Sequence, residues 1–430
     1  MKNIILLSLL SLIIASCGDF NNSLPKENNS SGDEYSGTDP FSADELANIN
    51  SGSFSKKKLI MNLGINVISP AVQRFYDDTL NLHITTKNLC NDYTNGQVSS
   101  HLENEVRDYW KSAMESYHYL EAMMVGPMSD NDYEVRFKLY SFGLTKTNLC
   151  SIDKEIVKLY ENPNITYREN FNRVGLDALE YLFFSPASYS CRRPRSNMSA
   201  WANLPEQERK SSKCKYMLRT TDFLTNTAKS LKNSWSPSAG NLTKKIINNN
   251  IFGNLDQAVN TFSNALFYLD KDLKDYKLAM PLGMHQDCST ETCPKSIEHE
   301  KTNFSFKSMY YNVLGFKAIL TGKDYMNARS INGFGFDDYL ETVNAQNLKD
   351  QMIQNIDNAL LALKSYENKS FTDELVAMDK TKCLNTTSNN RLEEVCALYQ
   401  DIKNISDDLK NDFLVYLALK APRQAQGDND

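Results

Sequence analysis

Apolar residues recur every three or four positions through most of the chain beyond residue 52. In residues 104–125 the series is Val106, Trp110, Met114, Tyr117, Leu120 and Met124, the spacing of one helix face. The same period runs through residues 55–94, 168–184, 214–235, 242–278, 304–320, 348–366 and 405–419. Pro70, inside VISPAVQRFYDD, marks a helix start or a kink. Gly126-Pro127, Ser185-Pro186, Ser236-Pro237 and Pro281-Leu282-Gly283 punctuate the segments. Glycine and proline number only 17 and 12 in 430 residues, and alternating β-branched runs are absent. Helices of about fifteen to thirty residues with short connections predict an all-α fold of bundle type. The breaks near 236–241 divide the chain into comparable halves, 52–237 and 238–430, expected to be two packed four-helix-bundle-like domains.

The first residues change the picture from fold to address. Lys2 precedes an apolar run at 4–14 that is too short to cross a bilayer, followed by Ala-Ser-Cys at 15–17. This predicts a secretory leader over 1–16. The small-residue-plus-Cys ending resembles a bacterial lipobox and predicts a lipidated Cys17 that tethers the protein to the cell envelope. Gly18 after it points to the outer membrane. Residues 17–51 are rich in Asn, Ser, Gly and Asp and read as a flexible tether. Lys and Arg total 47 against 53 Asp and Glu, with no basic stripe interleaved with aromatics, which excludes nucleic acid as a partner.

Eight cysteines follow Cys17: Cys90, Cys150, Cys191, Cys214, Cys288, Cys293, Cys383 and Cys396. An even number in an exported chain implies disulfides, in any of about 105 connectivities. The simplest expectation is sequential pairing: Cys90–Cys150, Cys191–Cys214, Cys288–Cys293 and Cys383–Cys396. No Cys-x-x-Cys pair supports a zinc-thiolate site.

The densest candidate chemistry lies in GLDALEYLFF at 175–184. Asp177 and Glu180, three apart on a helix, share a face amid leucines and phenylalanines. Buried carboxylates must be protonated, hydrogen-bonded, paired with a base or bound to a cation. His118 and Glu121 repeat the three-residue spacing on another helix. If the two helices face each other, one imidazole and three carboxylates converge, as in carboxylate-rich bundle sites. Arg192 and Arg193 offer a competing solution, a guanidinium pair that satisfies the acids without metal. His83 and His101 have no partner at ligand spacing and read as surface residues. Gly-x-Ser-x-Gly, His-Glu-x-x-His and glycine-rich phosphate loops are all missing.

Several segments in order resemble the imelysin family of bacterial envelope proteins: VISPAVQRFYDD (67–78), YWKSAMESYHYLEAMMVGP (109–127), GLDALEYLFF (175–184), CKYMLRTTDFLTNTAKSLKNSW (214–235), KLAMPLG (277–283), VLGFKAILTGKD (313–324) and the closing QGDND. The resemblance covers nearly all of residues 55–430. It implies two helical bundles, an envelope location and an association with iron acquisition. Metal-dependent proteolysis is the family's founding activity, though many members are thought to be non-enzymatic binding proteins. The resemblance also puts Glu298 and Ser305 near a cleft between the halves; the competing reading of residues 284–300 is an exposed, disulfide-closed loop with solvated histidines.

One landmark departs. The family's Gly-x-His-x-x-Glu is here Gly175-x-Asp177-x-x-Glu180, so the imidazole at that position is lost. Oxygen donors favour calcium, magnesium, manganese or iron(III). The expected function is a non-catalytic envelope lipoprotein that binds a metal, an iron species or a protein partner in a cleft holding Glu121, Asp177 and Glu180. The alternatives are a metallopeptidase with an altered ligand set and a structural lipoprotein without a ligand.

Overall fold

The computed structural model describes residues 40–422 except 98, 168 and 192–195. Cys17, the leader, most of the tether and the two arginines at 192 and 193 therefore lie outside the described residues.

Residues 56–94 run as one nearly unbroken rod: an opening helix Lys56–Asn62, a π-helical stretch Leu63–Ile68, and α1, Ser69–Thr94. Pro70 stands in the first turn of α1. It has no N–H to give, and its ring crowds the carbonyl one turn back. The wider turn before it absorbs that misfit.

Further along come α2 (Ser100–Glu121), α3 (Leu149–Glu161), α4 (Leu176–Phe184), α5 (Glu206–Trp235) and α6 (Leu255–Leu266). A second π-helical stretch, Leu269–Ala279, leads to α7 (Ser305–Thr321), α8 (Gln346–Ser365) and α9 (Glu394–Asp408). No strand occurs among the described residues, and the fold is all-α. No described helix is long and apolar enough to cross a membrane.

α1 packs against both α2 and α5, and α2 in turn against α7. α8 packs on α7 and α9, with the Leu269–Ala279 stretch also against α7 and α9. The crossing of α2 and α7 is close because position 315 is glycine. A Cβ there would lie 2.2 Å from the Tyr119 carbonyl oxygen. Hydrophobic residues from Phe41 to Leu417 join one core cluster, which runs across the turn at 236–241.

The helical period misjudged some boundaries. The segment expected to be helical from 168 begins only at Leu176. The expected helix over 242–278 is interrupted at 248–254, where Asn249 and Gly253 take positive φ and Asn254 caps α6. Asparagine and glycine tolerate that backbone better than other residues do.

All eight described cysteines pair, two pairs as expected: Cys288–Cys293 and Cys383–Cys396. The other two are a correction, since the bonds are Cys90–Cys214 and Cys150–Cys191. The reason is helix adjacency. α1 and α5 lie side by side, bringing the Cα atoms of Cys90 and Cys214 to 5.4 Å. Cys150, in the first turn of α3, meets the segment that follows α4.

Candidate metal centre

α4 starts where only glycine fits. Gly175 has φ 94°, and a Cβ on it would lie 2.6 Å from the Leu139 carbonyl oxygen. Trp110 of α2 donates its indole N–H to the Leu176 carbonyl at 2.8 Å, pinning α4 to α2. These contacts bring Glu180 beside the C-terminal turns of α2, which carry His118 and Glu121.

The second half of the chain supplies the rest. The segment before α7 brings Glu298 and His299, Lys277 comes from the second π-helical stretch, and α7 gives Ser308 and Asn312. His299 holds its backbone at φ 55°, a left-handed conformation uncommon outside glycine, although histidine adopts it more often than most residues.

Two imidazoles meet at the centre, with His118 Nε2 and His299 Nε2 3.2 Å apart. Each ring is held from its far side by a carboxylate. His118 Nδ1 donates to Glu121 Oε2 at 3.0 Å, and His299 Nδ1 to Glu180 Oε2 at 2.8 Å. Glu298 closes the group, its Oε1 accepting from the Tyr140 hydroxyl at 3.0 Å and from Lys277 Nζ at 2.9 Å. Ser308 donates to the other oxygen, and Ser305 donates to the Glu298 backbone carbonyl. Ser305 is thus a buttress of the loop. Lys277 also reaches Asn312 Oδ1 at 2.8 Å and Glu121 Oε2 at 3.4 Å. Arg136 bridges Glu121, at 3.3 Å, and Asp272, at 2.7 Å.

Burial and the Lys277 ammonium push the His118 pKa down to about 4, against the pull of Glu298 and Glu121. Burial pulls the other way on Glu121, but Lys277, the His118 hydrogen bond and Arg136 outweigh it and hold that carboxyl well below its usual range. Glu298 is likewise lowered, with burial outweighed by Lys277 and the two imidazoles. His299 is raised, because Glu180 and Glu298 outweigh its burial. The two shifts run in opposite directions, so His299 is the stronger base of the pair. Its Nε2 faces both His118 Nε2 at 3.2 Å and the Tyr140 hydroxyl at 3.1 Å.

That gap also suits a cation. Two nitrogens on one ion with bonds of about 2.0–2.1 Å at near-tetrahedral angles stand about 3.3–3.4 Å apart. One ligand atom from each of His118, Glu298 and His299 lies within 4.8 Å of the others. Two imidazoles oriented by carboxylates are the usual outer support of a metal site. Two imidazole nitrogens and a carboxylate are a donor set that fits a divalent transition metal. His299 brings a second imidazole to the group from the second half of the chain.

Of the sequence candidates, His118, Glu121, Glu180 and Glu298 come together here. Asp177 does not join them, although it lines the same cleft. It accepts hydrogen bonds from Ser141 and Thr147 and from the Ala178 N–H at 3.0 Å. Sequence reasoning left Lys277, Tyr140 and Arg136 unnoticed, and offered His299 only as a solvated loop residue. In fact His299 is buried, at 5 % exposure. His101 is exposed, as expected, whereas His83 is half-buried against the Thr221 hydroxyl at 2.9 Å.

Burial pushes the Asp177 carboxyl up to about 6, and the Ser141 and Thr147 hydroxyls only partly resist it. Because its folded pKa lies above the unfolded value of about 3.9, its contribution to stability is complete below pH 4. It fades as the pH rises through 6. Allowing for its partial exposure, the loss is about 1–2 kcal/mol. Asp177→Asn should therefore gain on wild type by that amount between pH 4.5 and pH 7.5 in urea unfolding. A difference that stays flat across that range would contradict this account.

Over residues 68–407 the sequence matches the Imelysin (peptidase M75) family. The chain belongs to the imelysin family. Two solved structures are similar in fold. An imelysin-like protein from Psychrobacter arcticum aligns at 15 % identity with a TM-score of 0.60, over 85 % of this chain and 96 % of its own. A candidate iron-regulated protein A precursor from Parabacteroides distasonis aligns at 13 % and 0.58, over 84 % and 97 %. No curated protein matches the sequence. In this imelysin chain the Gly-x-Asp-x-x-Glu landmark splits in role: Gly175 and Asp177 shape the start of α4, while Glu180 orients a histidine.

Proposed function

We propose that this imelysin-family protein binds a divalent transition metal, iron(II) or zinc, between His118, Glu298 and His299, as a binding protein of the bacterial envelope anchored through Cys17. The observation that carries it is the facing pair of imidazoles, each oriented by its own carboxylate. Two histidines and one carboxylate suit non-haem iron(II) and also zinc. The iron-regulated description of the Parabacteroides protein puts iron first among the metals to test.

Binding without cleavage is favoured over the peptidase reading by burial. His118, Glu298 and His299 are 0, 2 and 5 % exposed, so a long substrate chain would have to enter a closed site, whereas a small ligand reaches Glu298 and His299 through the cleft they line. Lys277, bonded to Glu298, weakens that carboxylate as a base toward water.

The test is metal content with thermal-shift titration on residues 40–430, using iron(II) under anaerobic conditions and zinc, beside a peptide-cleavage assay. A ligand that binds only the folded state raises its stability by mass action. Stoichiometric metal, a raised midpoint and no cleavage are expected. Absence of any metal-dependent shift would retire the reading, and cleavage by the loaded protein would return it to the peptidases.

A further inference from the structure

We infer that the cleft above this centre receives an organic polycarboxylate which meets the bound metal from outside, so that the natural ligand is a metal complex and not a bare ion. The inference rests on the metal reading above and adds the class of its second component. A single ion needs no more room than its ligands leave. Yet the cleft beside His299 has a volume of about 400 Å³, within the range of about 300–1,000 Å³ typical of small-molecule sites.

Its composition is graded from floor to mouth. Glu298 and His299 form the buried floor. Tyr140, Phe142, Leu144, Leu149, Tyr276 and Met280 give the walls an apolar body. Three exposed lysines, Lys146, Lys295 and Lys301, line the mouth. Among the described residues none of the three forms an ion pair with a carboxylate. Lys146 donates to the Lys295 carbonyl, and Lys301 lies 5.7 Å from the Tyr181 ring centre. Two buried lysines, Lys277 and Lys210, reach glutamates instead.

The carboxylates of the cleft are mostly engaged. Glu180 accepts from His299 and from the Thr302 hydroxyl at 3.0 Å, and Asp177 is held by Ser141 and Thr147. Only Glu300, exposed beside Lys301, offsets the positive mouth. A metal neutralises the acidic floor, while the uncompensated charge at the rim calls for an anion. One molecule satisfies both if its carboxylates reach the metal at one end and the lysines at the other. Ammonium–carboxylate contacts at such a rim act as point charges of modest individual strength, so the three should act together.

Zinc serves as a redox-inert metal and citrate as the probe. Zinc-loaded protein is titrated with citrate at constant ionic strength, with sulfate as the anion control, beside the triple variant K146Q/K295Q/K301Q. Citrate should raise the melting midpoint of zinc-loaded wild type and leave metal-free protein unchanged. The triple variant should bind citrate at least tenfold more weakly, with its response to zinc alone intact. The inference is overturned if citrate adds nothing or strips the zinc, if sulfate acts equally, or if the triple variant binds citrate as well as wild type. All of these leave the zinc response standing, whereas absence of any zinc response removes the metal reading and this inference together.

Discussion

Lys277→Met will lower the stability of the metal-free protein by about 3–5 kcal/mol and enlarge the stabilisation that a divalent ion provides. The first half follows from burial. The Lys277 ammonium is 1 % exposed and sits within 2.9 Å of Glu298 and 3.4 Å of Glu121, both similarly buried. Removing one partner of a buried ion pair leaves the other charge uncompensated, at about that cost. Methionine keeps the length of the stem and so avoids a large void. The second half follows from Coulomb's law: a fixed positive charge beside Glu298 opposes any cation arriving at the same carboxylate. In the variant an incoming ion replaces the lysine instead of competing with it. Chemical denaturation with and without zinc separates the two effects. Equal metal-induced stabilisation in wild type and variant would mean that the ion does not sit beside Glu298.

The second large effect concerns His299. His299→Asn should fold, because asparagine tolerates the left-handed backbone at this position, yet it should lose the metal. Glu121→Gln and Glu180→Gln leave all three ligands in place and disturb only their orientation. Such outer partners typically account for about 10–100-fold in affinity, so His299→Asn should cost more than either. Competition titration against a chromogenic chelator ranks the three. If Glu180→Gln proved worse than His299→Asn, the glutamate itself would be the ligand and the assignment of the centre would be wrong.

The helices were legible because a 3.6-residue period survives in the letters wherever one face is buried. α2 shows it plainly, with Trp110, Met114, Tyr117 and Leu120 all inside. The helix α3 repeats the period at Ile152, Ile156 and Leu159, but over only thirteen residues. His118, Glu121 and Glu180 stood out for the same reason, as polar residues on apolar faces. His299 could not, since it lies on an irregular segment 181 residues away from its partner His118. Lys277 lies on a π-helical stretch, whose pitch does not follow the α-helical face used to read buried positions. The two misassigned disulfides failed similarly. They depend on which helices lie side by side, and sequence order says little about that.

The left-handed backbone of His299 has an evolutionary corollary. Holding a residue other than glycine in such a conformation costs on the order of 1–3 kcal/mol. Glycine would ease the chain at this point and silence the centre in the same step. Durability and binding therefore pull position 299 in opposite directions. Lineages that abandon the metal should be free to drift there toward the relaxed residue, while those that keep it must carry the strain.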